Sequence, residues 1–253
     1  MPGLRRFSTT IGSDVGALLI FVCLWAALAM FFPPYLLPSP GTVLLEVPHY
    51  FQGEFAHHLA ATLYRTVIGF VLAFIAGGAL GIVAFGLHLT EPLNGFMASV
   101  QVLPGTIIGI IFLLMFGVGS ATPIALVALL TMPTIAINTA NALTKRNVAL
   151  EQYVVSAGGN WRHLVRYLYL PALVPTQRSN LTLGMGLALK IVILGEFIGA
   201  QDGIGYLLNS ARIYFNMKEV FFYLLVMSLM TAVFQVTHNA LFKTLLKKYF
   251  HPD

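Results

Sequence analysis

The sequence predicts an all-α integral membrane protein with six transmembrane helices, and three observations lead there. Of 253 residues, 58% are hydrophobic and only 9% are charged. A soluble domain carries about 25% charged residues, so this chain has too little polar surface to cover a water-soluble globule. Mean hydropathy is +0.83, and the apolar residues gather in runs of about 20, the length a helix needs to cross the hydrocarbon core.

The same composition excludes several functions. The net charge is +5, but the 14 basic residues fall between apolar runs rather than in one patch, so nucleic acid is not expected as a partner. The single cysteine, Cys23, lies inside the first apolar run and is expected to be a small buried hydrophobe. No G-x-x-x-x-G-K-[ST] stretch occurs, so the chain has no loop to cradle ATP phosphates. His57 and His58, with His49 nearby, lack a Cys or carboxylate cluster at metal-ligand spacing and are expected to be wet surface histidines. The expectation is a chain with no catalytic residue, no metal and no cofactor of its own.

Six spans follow in order: Val15 to Phe32, Val67 to Leu87, Phe96 to Val118, Ala121 to Leu143, Leu181 to Ile198 and Val220 to Ala240. The first is long for a secretory signal and no A-x-A-like site follows it, so it is expected to stay as a helix. Residues 33–62 contain "LLPSPGTVLLEVPHYFQGEFAHH", a Pro-rich turn and a mixed stretch too interrupted to span; they are expected along the external membrane surface. Arg5 and Arg6 precede the first span, Lys145, Arg146, Arg162, Arg166 and Arg178 separate the fourth from the fifth, and Lys243, Lys247 and Lys248 follow the sixth. With six spans all ten share one side, and only Arg65, Arg212 and Lys218 lie on the other. The excess of Lys and Arg on cytoplasmic loops therefore puts the N-terminus (1–14), the loop 144–178 and the C-terminus in the cytoplasm.

That loop has a design of its own. "NVALEQYVVSA" has the spacing of a short amphipathic helix, Gly158 can close it in the left-handed conformation, Asn160 can cap the next helix, and "WRHLVRYLYL" runs until Pro171 disrupts it. A helical hairpin with apolar knobs and basic rims suits another protein's groove; the alternative is a loop packed on its own domain that meets anionic lipid headgroups through its arginines. Inside span five, Lys190 lies too deep to reach either surface easily, so it either lines a pathway or binds carbonyls or a carboxylate on a neighbouring helix. Glu196 falls in the same span. Pro104 with Gly105, and Pro133, are expected to break helices at membrane depth and to mark the pathway wall. Glycines at four-residue spacing, Gly77 with Gly81, Gly105 with Gly109 and Gly195 with Gly199, allow close helix packing.

Two stretches carry a resemblance to a known family. Gly158, then Leu168, Leu170 and Pro171, resembles the E-A-A-x3-G-x9-I-x-L-P loop of ABC importer permeases, and "GEFIGAQDGIGYLL" resembles the A-E-x-[LI]-G-A-x-x-G-[LI]-G-Y stretch of their nitrate, sulfonate, taurine and bicarbonate branch. "LLPSPGTVL" and "LPGTIIGIIFLLMFGVG" fit the branch in order. This chain departs from the loop pattern: the family Glu falls on Gln152, its alanines on Tyr153 and Val154, and Glu151 stands one residue early. The resemblance implies a homodimeric permease of the bacterial inner membrane, working with a cytoplasmic ATPase pair that binds ATP and Mg and with an external or periplasmic solute-binding protein. The loop 144–178 would then be the coupling helix, with Glu151, Gln152, Tyr153, Gly158, Gly159, Trp161 and Pro171 meeting the ATPase. Lys190, Glu196, Pro104 and Gly105 would line the path of a small anionic solute. A secondary carrier or channel, or a membrane anchoring protein, is the alternative, with no ATPase partner.

Overall fold

The computed structural model describes residues 20, 22–51 and 53–245, with side chains described as far as residue 237. The N-terminal segment 1–14, the start of the first expected span and the side chains of Lys243, Lys247 and Lys248 lie outside the described residues. All regular structure among the described residues is helical, and the chain divides into two compact units.

One unit comprises Met1–Ala56 and Leu208–Val226. Its first described helix, α1, covers residues 22–29, and Cys23 is exposed on it rather than buried. In a chain of the membrane an apolar side chain need not face protein, because lipid is as apolar as a core. The α2 helix, Pro40–Tyr50, starts on a Ser39 cap with Pro at its first position. At 11 residues it reaches only about 17 Å, too short to cross. Trp25 anchors the segment, donating its indole N–H to the Pro38 carbonyl at 3.0 Å and stacking on Phe221 at 5.2 Å. Phe222 is fully enclosed, with Tyr50 at 4.9 Å and Phe51 and Phe55 each at 5.7 Å.

The second unit comprises His57–Leu207 and Met227–Asp253. Its helices are most of α3 (Phe55–Gly86), then α4 (Thr90–Val102), α5 (Gly105–Phe116), α6 (Ala121–Thr144), α7 (Val148–Ser156), α8 (Trp161–Leu164) and α9 (Leu170–Gly199). The start of α10 (Ile204–Ile213) and the latter part of α11 (Met217–Leu245) complete it. Glycines set the helix spacing. A Cβ on Gly77 would lie 2.7 Å from the Met132 carbonyl, one on Gly81 2.7 Å from the Ala136 carbonyl, and one on Gly195 2.6 Å from Pro123 Cα. These backbones therefore touch directly, α3 on α6 and α6 on α9, which side chains would prevent.

Four described helices are long and apolar enough to cross a membrane, or five if α4 and α5 form one broken span. Each departure from the expected spans has a local cause. The third expected span is not straight: α4 and α5 meet at 85° because Pro104 lacks an N–H and disfavours helix at Leu103. Pro133, in contrast, does not break α6. One missing hydrogen bond is tolerated where the turns on either side are intact and the residue is buried. The α3 helix begins at Phe55, so residues 55–62 of the expected surface segment are helical and continuous with the second expected span. Pro171 does not end the loop helix either. Between α8 and α9 the chain makes a π-helical turn, Val165–Tyr169, in which the Leu170 N–H reaches back to the Val165 carbonyl. That wider turn makes room for the proline ring, and one continuous helical path runs from Trp161 to Gly199. The C-terminal part of the expected loop 144–178 is thus helical and continuous with the fifth expected span.

Candidate functional site

Two constructions stand at opposite ends of α9, whose 30 residues extend about 45 Å. At its start is a helical hairpin. Asn147 Oδ1 accepts the Leu150 N–H at 3.1 Å and opens α7. The helix closes with two crossing bonds: the Gly159 N–H to the Val154 carbonyl at 2.9 Å and the Gly158 N–H to the Val155 carbonyl at 3.0 Å. This six-to-one and five-to-two pattern needs a left-handed residue between them, and Gly158 supplies it at φ +80°. Gly159 is constrained by space, since a Cβ there would lie 2.6 Å from both Val154 Cγ1 and its carbonyl oxygen. Asn160 then opens α8, accepting from the Arg162 and His163 N–H groups, while its own N–H donates to His163 Nδ1 at 3.2 Å. The chain reverses within a few residues, and every step is fixed by hydrogen bonds.

The hairpin sorts its expected contact residues into two sets. Tyr153 is 71% exposed and Trp161 68%, and Gln152, Gly158 and Pro171 are also exposed. Glu151 turns inward. Its carboxylate accepts from Arg146 Nε at 2.8 Å and from the Tyr169 hydroxyl at 3.2 Å, and the Arg146 guanidinium lies over the Phe85 ring at 4.9 Å. Glu151 therefore ties the foot of the hairpin to α3 and to the π turn, and Gln152 is the residue offered outward. Sequence spacing missed this arrangement because Phe85 and Tyr169 are distant in the chain.

At the far end of α9 lies a buried charge cluster. Arg65, 2% exposed, donates from Nη1 to Glu196 Oε1 at 2.9 Å and to the Asp202 carbonyl at 2.8 Å, from Nε to Ser120 Oγ at 3.0 Å, and from Nη2 to Asp202 Oδ1. Glu196, 1% exposed, accepts with its other oxygen from Thr62 Oγ1 at 2.8 Å and from the Gly205 N–H at 3.0 Å. Three consecutive amides at the start of α10 are thereby capped from other helices: Gly203 by His58 Nδ1 at 3.0 Å, Ile204 by Thr62 Oγ1 at 2.8 Å and Gly205 by Glu196. Gly203 sits at φ +101°, and a Cβ on it would overlap the Glu196 carboxylate. Burial pushes the Asp202 carboxyl up, but the hydrogen bond and charge of Arg65, with His57 Nε2 at 3.2 Å, outweigh it and hold the group below the usual aspartate range.

Glu196 is enclosed, with both its oxygens bonded within its own chain. His58 is likewise a hydrogen-bond acceptor rather than a wet histidine. Lys190 is exposed on α9, beside a shallow recess lined by Leu189, Ile193, Met227, Met230 and Thr231. Pro104 and Gly105 form the elbow between α4 and α5, and a Cβ on Gly105 would approach Leu130 and Leu194 at 3.1 and 3.2 Å. Toward the hairpin end, α6 and α9 are joined by uncharged groups: Asn138 donates to Asn180 at 2.8 Å and Gln177 to Thr139 at 3.1 Å, and Asn180 donates within α9 to Gln177 at 3.2 Å.

Comparison with known proteins places the chain in a family. The chain is 29% identical over 214 residues to the formylaminopyrimidine transport permease protein ThiX of Halalkalibacterium halodurans, covering 84% of this chain and 86% of that one. It is 26% identical over 224 residues to the putative aliphatic sulfonates transport permease protein SsuC of Bacillus subtilis, covering 87% and 80%. Its fold matches a chain of the MetNI methionine ABC transporter, solved in inward-facing conformations, with a TM-score of 0.64 over 75% of this chain and 94% of that one, at 17% identity. The family model for the binding-protein-dependent transport system inner membrane component matches residues 58–251, from His58 in the buried cluster through the hairpin. The chain belongs to that family, and is a multi-pass inner-membrane permease of the ABC importer class.

Proposed function

We propose that two copies of this chain form the translocation pathway of an ATP-driven importer, with the α7–α8 hairpin in the cytoplasm, seated in an ATPase subunit that binds ATP and Mg. Both termini share that side, following the distribution of Lys and Arg. A solute-binding protein delivers cargo to the opposite face. The observation that carries this reading is the hairpin: a turn fixed at Gly158 and Gly159, a capping box at Asn160, and two large aromatic rings, Tyr153 and Trp161, left exposed beside it. Rigid, exposed aromatic knobs are the residues that dominate protein–protein interfaces. Gln152 takes the outward place and Glu151 the inward one.

Lys190 supports an anionic solute. An ammonium in the middle of an apolar span is costly unless it meets water or a counter-charge, and among the described residues Lys190 makes no hydrogen bond or ion pair. In the dimer it faces the pathway together with the Pro104–Gly105 elbow. The named solutes of the relatives, formylaminopyrimidine and aliphatic sulfonates, differ in chemistry, so the charge preference rests on Lys190 rather than on them. The test is photocross-linking from position 161 in membranes that contain the cognate ATPase. Capture of the ATPase is the expected result. Capture of lipid alone would favour a hairpin lying on the membrane, and ATP-independent uptake would favour a secondary carrier.

A further inference from the structure

Opening a pathway requires some helix contacts to part and others to hold, and the two ends of the α6–α9 pair are built differently. At the Glu196 end, the only slack would have to come from buried charges. Arg65 uses Nε, Nη1 and Nη2 on four acceptors drawn from the α5–α6 turn, α9 and the α9–α10 turn. Parting them would leave an arginine and a glutamate unpaired in an apolar surrounding, the most expensive state for such groups. Steric fit points the same way. Gly195 lies on Pro123, a Cβ on Gly199 would fall 2.9 Å from Thr122 Cγ2, and the Gly119 N–H donates to the Gly199 carbonyl at 2.8 Å. The other end is held by Asn138, Asn180, Gln177 and Thr139, neutral groups that can exchange partners without exposing a charge.

We propose that Arg65 is a positioning residue: with His58, Thr62, Glu196 and Asp202 it locks the α9–α10 turn onto α3 and α6 as one block that stays shut through the whole transport cycle. Access on that side then opens at a boundary of the block and not within it, while rearrangement inside the chain is confined to the amide-linked end of α6 and α9. The proposal takes its two states from the ATP-driven cycle proposed above and goes beyond it in saying what does not move.

The three capped amides report on the lock directly, since hydrogen exchange at Gly203, Ile204 and Gly205 requires the His58, Thr62 and Glu196 bonds to open. Exchange of the segment 200–207 is measured in the wild-type permease–ATPase complex, nucleotide-free and trapped with ATP and vanadate. Equal protection of these amides in both states, with state-dependent exchange in 177–181, is the expected result. A tenfold or greater loss of protection at 203–205 in either state overturns the lock while leaving the importer reading intact. Absence of ATP-driven transport by the same preparation overturns the importer reading and the lock with it. Arg65→Gln supplies a second readout. It should assemble and hydrolyse ATP while transport falls at least tenfold and 203–205 lose protection; full transport with those amides exposed sinks the proposal.

Discussion

Arg65 and Glu196 stand 131 residues apart in sequence and meet at 2.9 Å, where neither is more than 2% exposed. Removing one partner strands the other. Arg65→Met or Glu196→Met alone should therefore lower stability by about 3 to 5 kcal/mol. The double Arg65→Met, Glu196→Met variant should lose clearly less than the sum, because the fully buried Glu196 carboxylate goes with the arginine and only the partly exposed Asp202, still beside His57, is left. Thermal unfolding of the detergent-solubilised chain measures all three; strictly additive losses would mean that the pair is not coupled.

Asp202 gives the same cluster a dependence on pH. Its carboxyl is held below the usual aspartate range when folded, so it binds protons less readily folded than unfolded. Its contribution is fully present above the unfolded value of ~3.9 and is lost as pH falls through the lower folded value. The stability gap between wild type and Asp202→Asn should be constant from pH 8 down to about 5 and shrink below about 4. A gap that stays unchanged well below about pH 4 would mean that Arg65 does not hold the Asp202 carboxylate.

In the hairpin, Gly158 and Gly159 fail for different reasons. Gly158→Val forces a β-branched residue to φ +80°, whereas Gly159→Ala drives a methyl group into Val154. Each should leave membrane insertion unchanged and separate ATP hydrolysis from transport, since the hairpin keeps its sequence but loses its turn. Coupling ratios in reconstituted vesicles test this, and wild-type ratios in both variants would show that the turn geometry is not used.

Tyr153→Ala and Trp161→Ala remove exposed rings without disturbing a buried contact. Each should weaken ATPase assembly by about 1 to 3 kcal/mol, while Glu151→Gln, which faces Arg146 and Tyr169, should act on stability of the hairpin foot rather than on affinity. Titration of the ATPase against each variant separates the two; a larger affinity loss from Glu151→Gln than from either ring would reverse the assignment of inward and outward faces.

Local signals in the sequence carried over well because their physics is local. Gly158, Asn160 and the Pro104–Gly105 elbow each act on a neighbouring turn, so spacing alone was enough to place them. Pro133 and Pro171 look the same in sequence, yet α6 runs through the first and a π turn absorbs the second. Whether a proline breaks a helix depends on the packing and hydrogen bonds around it, which spacing does not contain. Arg65 was legible only as a charge outside a hydropathy window. Its partners Ser120, Glu196 and Asp202 lie 55, 131 and 137 residues away, and once they satisfy it the helix continues to Phe55 where hydropathy ends at Val67. Glu196 was visible as an ionisable residue in a span, but its role as cap for α10 required knowing that the chain turns back at Gly203.

Lys190 remains the one cation exposed on the span portion of α9 without a described partner, and its substitution decides the solute's charge. Lys190→Met keeps the length and apolar stem while removing the ammonium. If the group attracts an anionic solute into the pathway, transport by the reconstituted complex should fall at least tenfold with assembly and basal ATP hydrolysis unchanged, since about 1.4 kcal/mol of lost interaction already gives that factor. The loss should be selective: an anionic cargo offered by the binding protein should suffer, and a neutral one should not. If Lys190 instead serves only to hold two copies together, the apolar variant should weaken the dimer, and the defect should be equal for every cargo. Glu196 of the second copy is not available as its counter-charge, because both oxygens are already held by Arg65, Thr62 and Gly205. Transport of an anion at the wild-type rate by a stable Lys190→Met dimer would remove Lys190 from the pathway, and with it the charge assigned to the cargo.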